Sequence, residues 1–109
     1  MVNRIWHGWT TPENADVYEN LLLTRVLPGI SEMDIPGYRG AHVFRRIPAP
    51  DSDETEVEFI TVMWFDAIEN VTAFVGDDYE VAYVPPEARA VLSRFDARSQ
   101  HYDVLQEPG

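Results

Sequence analysis

The hydrophobic period changes abruptly at Thr11-Pro12, and no other feature limits the folds open to this chain as much. Before it, residues 4 to 10, RIWHGWT, mix aromatic and β-favouring residues over the length of a strand. After it, Ala15, Val17, Tyr18, Leu21, Leu22, Val26 and Leu27 recur at i, i+3 and i+4, the pattern of a helix with one buried face. Thr11 can accept hydrogen bonds from first-turn N–H groups, and Pro12 loses nothing at the first helical position. A strand therefore runs directly into a helix. Pro28-Gly29 is expected to interrupt that helix, with a further turn over residues 30 to 33 and closure at Pro36-Gly37.

Residues 38 to 47, YRGAHVFRRI, read as a second strand, and residues 56 to 65, EVEFITVMWF, as a third. The polar link PAPDSDET between them fits a long hairpin, because antiparallel strands need only a short connection. Asp66 is expected to cap a second helix containing Ile68, Val71, Phe74 and Val75, ending near Gly76-Asp77-Asp78. A broken helical stretch through Tyr79 to Ala82 should stop at Pro85-Pro86 and resume as EARAVLSRF. Residues 99 to 105, SQHYDVL, close the series as a fourth strand, followed by a short frayed tail. This βαββαβ order predicts an α+β, ferredoxin-like domain: a four-stranded antiparallel sheet with both helices on one face.

The other face of that sheet would be bare. A sheet with one solvated face alternates apolar and polar residues. Here the first strand carries Trp6 and Gly8 on one side and Ile5, His7 and Trp9 on the other. The helix-free face is therefore expected to be covered as well, most simply by the sheet of a second copy in a homodimer.

Length and composition bound the rest. The 109 residues leave room for a single domain, 1–109. A net charge of −11 opposes binding to phosphate backbones and anionic membranes, so neither nucleic acid nor membrane is an expected partner. The absence of cysteine removes disulfides, thiolate nucleophiles, iron–sulfur clusters and cysteine-based zinc sites. No apolar run approaches ~20 residues, and the default expectation for compartment is the cytoplasm. No His-x-His, Glu-x-x-His or His-Glu-x-x-His pair is present, so no metal site is expected.

Several segments taken together make the chain resemble the antibiotic biosynthesis monooxygenase-like family of the dimeric α+β barrel superfamily. They are Arg4-Ile5-Trp6-His7-Gly8-Trp9-Thr10 leading into Thr11-Pro12-Glu13, Gly37-Tyr38-Arg39-Gly40 with Arg45-Arg46, and Trp64-Phe65-Asp66. Ala73 to Glu80, Val84-Pro85-Pro86-Glu87 and the closing His101-Tyr102-Asp103-Val104 complete the set. The resemblance covers nearly the whole chain and rests on order and spacing. It implies one domain of this type, a homodimer whose sheets pack into a barrel, and a pocket between sheet and helices in each subunit. Relatives include oxygenases that convert polycyclic phenols to quinones without metal or flavin, haem-degrading enzymes and isomerases. The haem-degrading relatives use an Asn on the first strand, a Trp in the second helix and a His about ten residues later. The matching positions here hold Trp6, Ala73 or Phe74, and Tyr83, which sets haem degradation aside.

The expectation is then a cofactor-independent monooxygenase or related enzyme, an oxidoreductase acting on a hydrophobic, aromatic metabolite. The alternative is a non-catalytic, small-ligand-binding or stress-related dimer. Histidine titrates near neutrality and can act as general base toward a phenol. His101, in the closing motif, is the first candidate and His42 the second, while the commoner fate of such a residue is a satisfied place at a barrel face or strand edge. Trp6, Trp64, Tyr79 and Tyr83 offer flat surfaces and phenolic donors for an aromatic ligand, the competing use of Trp64 being to fill core. Arg45 and Arg46 point to opposite faces. Arg45 is a candidate to bind an anionic oxygen inside, against the commoner use of an arginine in a surface ion pair. A cavity above about 300 Å³ is expected of a small-molecule site, and a filled interior of a purely structural domain.

Overall fold

The computed structural model describes residues Met1–Gly109. Strand β1 (Val2–Thr10) leads into helix α1 (Pro12–Leu21), whose first turn is capped by Thr11: its hydroxyl accepts from the Asn14 N–H at 3.2 Å. The helical path does not stop at Pro28-Gly29. It widens into a π-helical segment, Leu22–Val26, and continues as α2 (Leu27–Ser31) with Pro28 near its start. A proline ring inside an α-helix clashes with the carbonyl four residues back and supplies no N–H. Five-residue closure, in which the Leu27 N–H donates to the Leu22 carbonyl, carries the backbone past that clash without a break.

Strands β2 (Tyr38–Arg45) and β3 (Val57–Phe65) form the expected hairpin. Helix α3 (Ile68–Val75) follows, but Asp66 does not cap it. The Ala67 N–H donates to Asn70 Oδ1 at 2.9 Å, while Asp66 takes a two-pronged ion pair from Arg39 at 2.8 and 2.7 Å. The last third departs furthest from expectation. Tyr79 to Ala82 is not helical, α4 is a single turn (Pro86–Arg89), and Arg94–Phe95 forms a short strand, β4, before β5 (Gln100–Asp103).

The result is an α+β fold on one antiparallel sheet in the order β2-β3-β1, with β4 and β5 sharing the free edge of β1. β5 pairs Arg4 with His101, and β4 pairs Gly8 with Phe95. Between them the chain leaves the ladder, and the Trp6 indole N–H donates to the Asp96 carbonyl at 2.8 Å. Gly8 lies beneath that indole: a Cβ there would stand 2.6 Å from Trp6 Cη2, so no other residue fits without moving the ring. No helix is long and apolar enough to cross a membrane.

The helices lie on one face of the sheet, and the core there divides into two clusters. Ala15, Tyr18, Leu22, Phe59, Val84 and Ala88 make the first. Ile30, Met63, Phe65 and Val71 make the second. Phe59 is fully buried, with Tyr18 edge-on at 4.9 Å. No helix packs on the opposite face, where the tail residues Glu107 and Pro108 come beside His42 and Trp64.

Candidate functional site

A cavity opens where the two core clusters meet. Tyr18 and Leu22 belong to one, Ile30 and Met63 to the other, and all four line it together with Trp6, Phe74 and Tyr83. Part of its wall is the π segment, whose residues Leu22 and Val26 face it, and π turns frequently mark functional sites. The space that water-sized spheres can reach is about 40 Å³, room for about three waters. That is well below the expected 300 Å³ scale, so a larger guest enters only if the wall gives. The side with least regular structure is Tyr83-Val84-Pro85, tied by the bridge between Val81 and Arg98 and by the Arg89 Nε–H, which donates to the Val84 carbonyl at 3.0 Å.

Strand alternation explains the polar contents of the cavity. Inward positions on β1 are Val2, Arg4, Trp6, Gly8 and Thr10, so Arg4 is carried into the core and is only 2% exposed. Its Nη1 donates to the Tyr79 carbonyl and its Nη2 to the Val81 carbonyl, at 2.5 and 2.7 Å. Its guanidinium also lies 5.6 Å from the centre of the Phe74 ring. No carboxylate stands within ion-pairing distance, whereas Arg39, Arg45, Arg46, Arg94 and Arg98 all have one. Burial lowers the Arg4 pKa to about 10 against the raising influence of Glu80, which still leaves the group charged at neutral pH.

His101 stands behind Arg4 and does not line the cavity. Its Nε2 is 3.1 Å from Arg4 Nη1, and because a guanidinium only donates, Nε2 must be the acceptor and the ring proton must sit on Nδ1. That Nδ1 is buried without a partner. Burial, reinforced by the Arg4 charge and opposed by Glu80, lowers the His101 pKa, so the imidazole is neutral at pH 7. Thr61, paired with Trp6 across β1 and β3, also faces the cavity, and its Oγ1 is buried without a partner.

The other sequence candidates divide between the two faces. Trp6 and Tyr83 line the cavity. Tyr79 gives its carbonyl to Arg4, and its ring packs edge-on against His101 at 5.0 Å, off the cavity wall. Trp64 and His42 are on the helix-free face, where the Trp64 indole donates to His42 Nδ1 at 3.0 Å. Arg45 lies over Phe59 and pairs with Asp16 and Glu19 of α1, away from the cavity. Arg4 and Thr61 were not singled out in the sequence. Their signal was parity: Arg4 sits two residues before Trp6 on the same side of the same strand. Comparison with known proteins finds no family model and no curated protein that matches the chain.

Proposed function

We propose that this chain is a ferredoxin-like βαββαβ domain in which β4 and β5 together serve as the fourth strand, and that it pairs through its open sheet face into a dimeric α+β barrel. We further propose that the cavity of each subunit admits a small, apolar, aromatic molecule and that the protein oxidises it with dioxygen, without metal or flavin. In balanced form, a phenolic ring takes up one atom of O2 as a second carbonyl oxygen, the ring gives up four electrons and two hydrogens, and the other oxygen atom leaves as water. The observation that carries this reading is an apolar cavity walled by Trp6, Phe74 and Tyr83 and bordered by a π turn. His101 enters as a positioning residue, since its Nε2 holds the Arg4 guanidinium rather than a substrate proton.

One observation favours the second reading, a binding protein without chemistry: none of the three histidines lines the cavity. Oxygen uptake separates the two. With purified protein, chelator present and polycyclic phenols such as 1-naphthol as probes, the oxygenase reading expects one O2 consumed per quinone formed. Binding of the same phenols with no oxygen uptake would leave the binding reading standing alone. Sedimentation at micromolar concentration should give twice the chain mass, and a monomer there would remove the barrel.

A further inference from the structure

We propose that Arg4 and Thr61 form an oxyanion subsite on the sheet side of the cavity, and that the natural ligand is an apolar body bearing one singly charged oxygen group, a phenolate or a carboxylate. The proposal deepens the reading above and rests on its premise that the cavity admits an apolar molecule.

The charge inventory is the first support. The chain carries 19 acidic side chains, yet none lines the cavity, and the one buried arginine faces it with no carboxylate in ion-pairing distance, Glu80 acting on it only from further off. A buried cation without a directly paired acid is costly, and carbonyl dipoles, an aromatic face and the more distant Glu80 offset only part of that cost. Of the seven other arginines five are paired with acids at the surface, Arg25 and Arg89 being the exceptions. The missing charge at Arg4 is thus a charge that a ligand can bring.

Donor counting is the second. Of the five guanidinium N–H groups, one goes to the Tyr79 carbonyl, one to the Val81 carbonyl and one to His101 Nε2. The Nε–H and one Nη2–H remain. Thr61 adds a hydroxyl that is buried, faces the same cavity and has no partner. Arg4 pairs with Met63 and Trp6 with Thr61, so Arg4 and Thr61 are diagonal neighbours on the inner face. Such neighbours lie about 7–8 Å apart at the backbone, a gap that one oxygen group can bridge from side chain to side chain. One cation and one hydroxyl match a monoanion. A phosphate dianion would need a second cation, and the cavity wall holds none.

4-Nitrophenol tests this directly, because its ionised form is yellow and its protonated form is not. With the whole protein, at a pH where the free probe is mostly protonated, bound probe should appear as phenolate. Benzoate should displace it, and so should uncharged naphthalene. Thr61→Val, which keeps the side-chain shape, should weaken the ionised probe and benzoate about tenfold while leaving naphthalene affinity unchanged. Arg4→Met should abolish the yellow bound form, and if that variant does not fold, Thr61→Val decides alone. Benzoate binding with nitrophenol bound only in its neutral form would support the carboxylate source over the phenolate one. Naphthalene binding with no phenolate signal, no benzoate binding and no effect of Thr61→Val would overturn the subsite and leave the apolar-pocket reading intact. If naphthalene also fails to bind, both fall.

Discussion

On the helix-covered face of the sheet, Arg4, Thr61 and His101 sit among Trp6, Met63 and Phe65. On the opposite face His7 and His42 sit among Ile5, Trp9, Ile60 and Trp64. Strands β1 and β3 supply most of both sets, yet their polar groups fare differently. On the open face His7 Nδ1 meets Glu58 at 2.8 Å and His42 accepts from Trp64 at 3.0 Å. On the covered face Thr61 Oγ1 and His101 Nδ1 have no partner, and Arg4 has no acid. A polar group buried without a partner costs roughly 1–3 kcal/mol. The face that looks finished by its own helices therefore carries most of the unmet bonding capacity, the open face adding only Asn3 Oδ1. The face that looks unfinished has His7 paired with Glu58 and His42 with Trp64.

The contrast breaks most visibly at the neighbours Phe59 and Ile60, which point to opposite faces. Phe59→Ala should cost about 3–5 kcal/mol in urea unfolding at any protein concentration. In the proposed dimer Ile60→Glu should instead shift the unfolding midpoint by an amount that depends on concentration, because there it would harm association. Equal behaviour of the two on dilution would mean the faces do not differ in the way described. Next in size, Arg4→Met leaves the Tyr79 and Val81 carbonyls without their donor, for a loss of about 2 kcal/mol. Faster proteolytic cleavage between residues 76 and 85, mapped by mass spectrometry, should accompany it. Thr61→Val removes an unpartnered hydroxyl, so stability should stay level or rise by less than about 1 kcal/mol. A clear fall would show that Oγ1 has a partner after all.

The smallest effect concerns pH. The pKa of His101 is depressed in the folded state, so below its ordinary value of 6.5 the unfolded chain binds the proton more readily. Stability contributed by the neutral ring is complete above that value and is lost as the solution is acidified, until folded His101 is itself protonated. His101→Gln should flatten the stability profile between pH 7 and the carboxylate range. The ion-paired Asp66 and Asp78 have lowered pKa values, and their contributions are lost only further down. An unchanged profile would mean that His101 is not buried against a cation.

Period and parity made much of this architecture legible. The switch at Thr11-Pro12 placed β1 and α1, and the dense β-branched run placed β3. What escaped was decided by distant partners. EARAVLSRF has helical composition, but the edge of β1 captures its end: the Ser93 N–H donates to the Trp9 carbonyl at 2.7 Å, and Arg94–Phe95 becomes strand. Asp66 has the chemistry of a cap, but α3 starts one residue later with Ala67 at the cap position, and the Asp66 carboxylate pairs with Arg39 instead. In the site, aromatic character pointed to Trp6 and Tyr83. Arg4 carries only the signal of parity with Trp6, and an arginine near the start of a strand has the same composition whether it is buried or exposed.

The π segment sets the phase of everything that follows it along the helix. In an unbroken α-helix Leu27 would be turned about 120° away from Ala15, off the stripe that faces the sheet. The wider turn winds it back, and Leu27 and Ile30 both end in the cavity wall. The helix therefore behaves like a reading frame with one surplus letter. Deleting a single residue from Leu22–Val26 would leave a regular α-helix with Leu27 about 20° from Ala15, so the part of the cavity wall made by Leu22 and Val26 is open to change by a one-residue edit that keeps Leu27 and Ile30 in phase and leaves the sheet untouched.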